Sequence, residues 1–135
     1  MNLKMVKNIY NPETIRKIIG DFDFLISGRL HAAISGLSQN VPTVIIDYGF
    51  EPKGHKLLGI AELFGIEEYF CDPNDPNDMY QKIYKAWENR NLLKETISKN
   101  LIHAKELALL NFKIVNQVLE KQINAYKEQN NRNIR

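Results

Sequence analysis

The sequence predicts an α/β fold in which a partial, Rossmann-like parallel sheet is flanked by helices and followed by a long C-terminal helix. Short apolar, β-branched runs such as residues 24–26 and 43–46 alternate with segments whose apolar residues recur every three or four positions. From about residue 92 to 127 the helical pattern continues nearly throughout. Strands that alternate with helices at this spacing form βαβ units with right-handed crossovers.

Each element has its own local signal. Asn11 can cap a first helix, because Pro12 and Glu13 follow it, and Gly20 can end that helix. Residues 4–10 are expected to form an initial strand. Further strands are predicted at Asp23–Ser27, Thr43–Asp47 and Glu68–Cys71, and further helices at about 30–39, 55–64, 77–89 and 92–127.

Three well-marked strands are few for a complete doubly wound domain, which usually has five or six. We therefore expect the chain to be the latter part of a larger α/β unit, with a partial domain over residues 1–128. The segment 129–135 is polar and rich in asparagine, so we expect a disordered tail.

Composition excludes several classes of protein. The apolar fraction of 44% and the charged fraction of 25% are typical of globular domains. No run is long and apolar enough to cross a bilayer, and no signal-peptide pattern opens the chain. Cys71 is the single cysteine, which favours the reducing cytoplasm, and with three dispersed histidines it makes no metal-ligand spacing. The glycines form neither a dinucleotide fingerprint nor a phosphate loop.

The net charge of +2 hides an uneven distribution. Residues 21–80 carry three basic and ten acidic side chains, and the three cations (Arg29, Lys53 and Lys56) all follow predicted strands. Because ligands gather at the carboxyl ends of strands in open α/β sheets, this placement favours an anion site. The alternative is that the three cations only balance acidic neighbours. The basic helices after residue 80 contain interleaved glutamates, which is typical of a solvated face and not of a nucleic-acid interface.

The segment 27–31, Ser-Gly-Arg-Leu-His, lies where the first clear strand passes into a helix. Free backbone N–H groups and the helix dipole favour an anion at such a junction. Arg29 adds a planar fork that matches carboxylate or phosphate oxygens, and His31 adds a group that can move a proton near neutral pH. Gly28 is expected to allow a tight turn and a close backbone approach. The structural alternatives are that Arg29 pairs with Asp47 or Asp23, and that His31 only caps a helix or packs in a polar corner.

A resemblance to a known family rests on an ordered set of residues. The triplet Arg29-Leu30-His31 is followed by Val41-Pro42, by Ile46-Asp47-Tyr48 and by Pro52-Lys53. This set, within about residues 5–75, resembles the C-terminal part of the polysaccharide pyruvyl transferase family. The resemblance implies a GT-B-like enzyme, in which two Rossmann-like domains face each other across a cleft.

The resemblance also implies the activity. Such enzymes transfer the carboxyvinyl unit of phosphoenolpyruvate to sugar hydroxyls, giving a pyruvate ketal on an exopolysaccharide, and they work beside membrane-linked glycan synthesis. Arg29 would hold the carboxylate or phosphate of this donor substrate, His31 would be the catalytic acid or base, and Lys53 would add positive charge. Gly28 and Tyr48 would complete the donor site, and no cofactor is implied. The chain lacks the family's N-terminal domain, so we do not expect it to turn over alone.

Two other functions stay open. A sugar-nucleotide glycosyltransferase of the same GT-B architecture would share the anion site but needs a nucleotide-binding loop, which the sequence does not show. A non-catalytic remnant would use the long basic helix to dock on a partner. The exposed edge of an incomplete sheet also predicts a homo-oligomer or poor solubility.

Overall fold

A computed structural model describes residue 5, residues 7–48 and residues 55–132. Helices and strands alternate along the chain, which confirms the predicted α/β class. A 3₁₀ turn at Glu67–Tyr69 precedes the last strand. The elements are α1 Pro12–Gly20, β1 Leu25–Ser27, α2 Leu30–Leu37, β2 Thr43–Ile46, α3 His55–Phe64, β3 Phe70–Cys71, α4 Pro76–Glu88 and α5 Arg90–Arg132.

The sheet in the described part of the chain has three parallel strands in the order β1-β2-β3. Ser27 is opposite Ile45, which is itself opposite Phe70. The backbone N–H of Asp47 donates to the Cys71 carbonyl at 2.9 Å, one residue beyond β2. The residues that follow the three strands therefore lie together at the carboxyl ends of the strands.

The structure corrects two of the predicted strands. Residues 5 and 7–10 form no strand, and the other residues of the expected strand 4–10 lie outside the described residues. The strand predicted at Glu68–Cys71 keeps only its last two residues. Tyr69 N–H donates to the Ile66 carbonyl at 2.9 Å, so the backbone turns where the apolar pattern predicted extension.

Capping fixes several helix ends where the sequence predicts them. The Asn11 side chain accepts the Thr14 N–H at 2.8 Å and starts α1. The Asp75 carboxylate accepts the N–H groups of Asn77 and Asp78 at the start of α4. Gly65 follows α3 with a φ of 65°, a conformation that few other residues adopt.

Helix α2 packs closely against β1 and β2. A Cβ atom added to Gly36 would lie 2.6 Å from Leu25 Cδ2 and 2.9 Å from Thr43 Oγ1, so only glycine allows this approach. The surrounding core is apolar and includes α5 residues close to the start of that helix. Its largest fully buried side chains are those of Leu37, Thr43, Val44, Ile45, Ile66, Cys71, Leu93 and Ile97.

The chain divides into two compact units, Met1–Leu101 and Ile102–Arg135, whereas the sequence predicted one domain over residues 1–128. In the first unit, the Asn100 side chain donates to the Phe64 carbonyl at 3.0 Å and joins α5 to the end of α3. The described part of the second unit is the remainder of α5, which continues to Arg132. Residues 129–132 are thus helical where the sequence predicted disorder, and 133–135 lie outside the described residues. Among the helices described, none is both long and apolar enough to cross a membrane.

Candidate functional site

The junction between β1 and α2 is held by a serine that the sequence analysis did not single out. Ser27 is buried, with 6% of its surface exposed. Its hydroxyl accepts the Arg29 N–H at 3.1 Å and donates to the Arg29 carbonyl at 3.0 Å. The same carbonyl accepts the Ala33 N–H at 2.9 Å, which begins the helical hydrogen bonding. The backbone of Arg29 is therefore fixed on both sides of its Cα. A small hydroxyl residue at the end of a strand, two positions before the cation, was the available signal.

Arg29 is the N-cap residue of α2, with an extended backbone, and its side chain is exposed. The hydrogen bonds and ion pairs among the described residues include none to its guanidinium. The alternative interpretation, a structural ion pair with Asp47 or Asp23, is therefore not what the described residues show. The five N–H donors of the guanidinium face solvent and can bind an added anion.

Helix α2 leaves N–H groups of its own at the same point. Leu30, His31 and Ala32 occupy its first three positions, where α-helical geometry supplies no carbonyl partner. The Arg29 side chain does not cap them. These N–H groups carry the positive end of the helix dipole and lie next to the arginine in the chain.

His31 is the second residue of α2 and is exposed. Its carbonyl accepts the Ser35 hydroxyl at 2.8 Å inside the helix, while none of the hydrogen bonds within the described ranges involves its imidazole. Neither Arg29 nor His31 is enclosed in the interior, so both can reach a ligand from solvent.

Gly28 and Tyr48 lie close together beyond the carboxyl ends of β1 and β2. A Cβ atom added to Gly28 would lie 3.6 Å from the Ile46 carbonyl oxygen and 4.0 Å from Tyr48 Cδ1. Both are ordinary van der Waals distances, so the protein atoms around Gly28 leave room for a Cβ, while the chain bends at residues 28 and 29 between β1 and α2. Tyr48 is 58% exposed and is available to line a site.

Both acidic and basic residues follow the strands at their carboxyl ends. Asp47 follows β2 and Asp72 follows β3, while Arg29 follows β1. Lys53, the second cation predicted for the site, lies outside the described residues. Lys82 is described, but its ammonium donates to the Phe70 carbonyl at 2.7 Å and pairs with Asp78 at 2.9 Å. Arg29 and the N-terminus of α2 are therefore the positive groups that the described residues offer to a ligand.

Cys71 ends β3 and is fully buried. Burial raises the pKa of its thiol above the usual value, with a smaller opposing effect from Lys82. A thiol with a raised pKa carries little thiolate at neutral pH, so Cys71 is a poor nucleophile. Its predicted burial is confirmed.

An open groove of about 490 Å³ lies elsewhere in the first unit. It includes Asn40, which precedes β2 at the amino end of that strand, whereas the residues of the candidate site follow the strands. The groove includes a residue at the amino end of β2, and all its lining residues are of polar or charged types. It is lined by Asn40, Asn91, Lys94, Glu95 and Ser98.

Comparison with known proteins bears on the segment that carries the site. Residues 1–49 match the model of the family described as polysaccharide pyruvyl transferase. The matched segment contains the Arg29-Leu30-His31 triplet and ends just after Tyr48, before Lys53. No curated protein and no solved structure matches the chain. Residues 1–49 are therefore similar to polysaccharide pyruvyl transferases, as the resemblance predicted.

Proposed function

We propose that this chain is the donor-binding portion of a polysaccharide pyruvyl transferase of GT-B-like architecture. The transferred group is the pyruvyl unit of phosphoenolpyruvate, and the product is a ketal on a sugar of an exopolysaccharide. The observation that carries the proposal is the exposed Arg29 guanidinium at the N-terminus of α2, without a described partner and within the segment that matches the family.

The donor suits the charges of this junction. Phosphoenolpyruvate carries about three negative charges near neutral pH, from one carboxylate and one phosphate. Arg29 can bind one of these groups with two parallel hydrogen bonds, while the first N–H groups of α2 bind oxygens of the other. Asp47 and Asp72 oppose such binding, so Lys53 is assigned the balancing charge. Tyr48 and Gly28 line the approach to the enol carbons.

His31 is assigned the proton transfers. The sugar oxygen bonds to the central carbon of the enol and loses its proton, while the terminal methylene carbon gains a proton and becomes a methyl group. A second sugar hydroxyl then closes the ketal as phosphate leaves with the electrons of its carbon–oxygen bond. An imidazole can accept and return the protons that these steps exchange. The acceptor sugar would bind to the second domain of the GT-B-like pair, so the chain alone binds the donor without turnover.

Calorimetric titration of this chain with phosphoenolpyruvate tests the binding. We expect Arg29→Ala to weaken the affinity by roughly 10–100-fold, since a bidentate charged contact contributes about 1.5–3 kcal/mol. Arg16→Ala is the matched control, because Arg16 is an exposed arginine of α1 whose side chain donates to the Ser38 hydroxyl at 3.4 Å. Equal affinity of the Arg29→Ala variant and the unchanged chain would contradict the proposed donor site.

His31→Gln tests the proton transfer in the transferase that contains this segment together with its acceptor domain. The expected loss in kcat is about 10²–10⁴-fold with little change in donor affinity. The control is His103→Gln, because His103 is an exposed histidine of α5 whose imidazole Nδ1 lies 3.9 Å from the Glu106 carboxylate. Binding of a nucleotide sugar in place of phosphoenolpyruvate would instead favour the glycosyltransferase, and binding of neither would favour the non-catalytic module.

A further inference from the structure

The second unit leaves an unusually apolar helix in solvent. Every described residue from 105 to 127 in α5 is exposed, and many of these side chains are large and apolar. Phe112 is 63% exposed and Tyr126 is 66% exposed. A helix with this composition is normally covered by another element. The spacing of residues along α5 indicates which kind of partner covers these side chains.

The helix carries a heptad pattern, meaning apolar residues at alternating spacings of three and four. Two of its eight positions, Lys105 and Asn116, are polar, and the other six are apolar. The heptad positions are Ile102, Lys105, Leu109, Phe112, Asn116, Leu119, Ile123 and Tyr126.

A row of alternating charge borders this apolar stripe. Glu106, Lys113, Glu120 and Lys127 follow one another at intervals of seven residues, so they share one side of the helix. Each immediately follows a heptad position. In coiled coils, the charged residues that border the stripe pair across the interface and select both partner and orientation.

We propose that α5 pairs antiparallel with α5 of a second copy of this chain, with the two-fold axis close to residue 117. In this register Glu106 lies opposite the partner's Lys127, and Lys113 lies opposite the partner's Glu120. Two-fold symmetry repeats both contacts, so all four charged positions of the row are satisfied. The apolar positions agree, since Phe112 packs beside the partner's Ile123 and Leu109 beside the partner's Tyr126.

The same row of charged residues disfavours both the neighbouring registers and the parallel orientation. A shift of one heptad in either direction would place glutamate against glutamate and lysine against lysine along the row. In a parallel pair, the row would face the other flank of the stripe, which carries Ala108, Val115 and Gln122 and offers no charge. The alternating charges therefore favour pairing with a second copy of α5 in the antiparallel orientation and in this register.

Charge reversal in the full chain tests this pairing. Sedimentation equilibrium at about 100 µM chain should give the mass of a dimer, because self-association is driven by concentration. Lys113→Glu places a carboxylate opposite the partner's Glu120 twice in each dimer and should weaken dimerisation by about tenfold. The double variant Lys113→Glu/Glu120→Lys restores opposite charges and should return the dissociation constant to within about twofold of the unchanged chain.

Lys121→Glu is the matched control. It makes the same charge change about two turns further along the helix. Lys121 lies outside the heptad stripe and its charged row, so dimerisation should be unchanged. Circular dichroism of each variant separates weakened pairing from lost helix. A monomer at about 100 µM, an unaffected Lys113→Glu dimer, or a double variant that is not restored would each overturn the proposal.

A distance measurement tests the orientation. Spin labels on a Lys127→Cys variant, with Cys71 buried and unlabelled, should be about 30 Å apart in the antiparallel pair, at 1.5 Å of helix rise per residue. A parallel pair would bring the two labels side by side, and that result would overturn the proposed orientation.

Discussion

Ser27→Ala removes the hydroxyl that holds the backbone of Arg29. The change deletes one hydrogen bond of 3.1 Å from the Arg29 N–H and one of 3.0 Å to its carbonyl. At about 0.5–1.5 kcal/mol for each bond, the free energy of unfolding should fall by roughly 1–3 kcal/mol. The carbonyl keeps its bond from the Ala33 N–H, whereas the Arg29 N–H loses its partner, and this places the expected cost at the upper end of that range.

Urea denaturation measures the effect as a lower midpoint at an unchanged m-value. Ser35→Ala is the control, because the Ser35 hydroxyl only donates back to the His31 carbonyl within α2, a contact that contributes little to helix stability. We expect that control to change the free energy of unfolding by less than about 0.5 kcal/mol. Equal effects of the two substitutions, or no effect of Ser27→Ala, would refute the assignment of Ser27 as the residue that positions Arg29.

Two further predictions concern packing and burial. Gly36→Ala should destabilise the fold by about 1–3 kcal/mol, because the added Cβ would lie 2.6 Å from Leu25 Cδ2 in a closely packed layer. Gly59→Ala in α3 should instead raise the free energy of unfolding by roughly 0.5–1 kcal/mol, since the described residues place nothing within 4 Å of the added Cβ and alanine favours the helix. The same urea titrations measure both variants. A stabilising Gly36→Ala would contradict the close packing. Cys71 should react with an iodoacetamide probe at pH 8 at least about 100-fold more slowly in the native chain than in urea, because burial removes access and raises the thiol pKa. Native-state labelling at the rate of a free thiol would show that β3 opens readily.

Helix boundaries were largely predictable because their causes are local. Asn11 and Pro12 start α1 through one cap and one fixed backbone angle, and these act within a single turn. Helix α3 runs from His55 to Phe64 as predicted, and Gly65 ends it with a positive φ. Strand β3 was less predictable, because an apolar run fits both a strand and a 3₁₀ turn until the pairing with β2 decides.

The candidate site was predictable in part. The position of Arg29 and His31 at a strand-to-helix junction followed from the alternation of elements, and the structure places both there. The role of Ser27 was missed because its hydrogen bonds depend on how the chain turns after β1. The space around Gly28 could not be predicted for a similar reason, since it depends on where β2 and Tyr48 lie.

The sequence by itself determined the order of helices and strands, the parallel α/β class, the family resemblance of the first segment and the alternating charges of α5. Each of these depends on residues close together in the chain or on their spacing. Only the tertiary structure decided that Arg29 has no partner among the described residues, that Gly36 lies against Leu25 and Thr43, and that the α5 residues from 105 to 127 are exposed. Those facts depend on residues distant in the chain, because the space and charge around a side chain are set by whichever elements pack beside it.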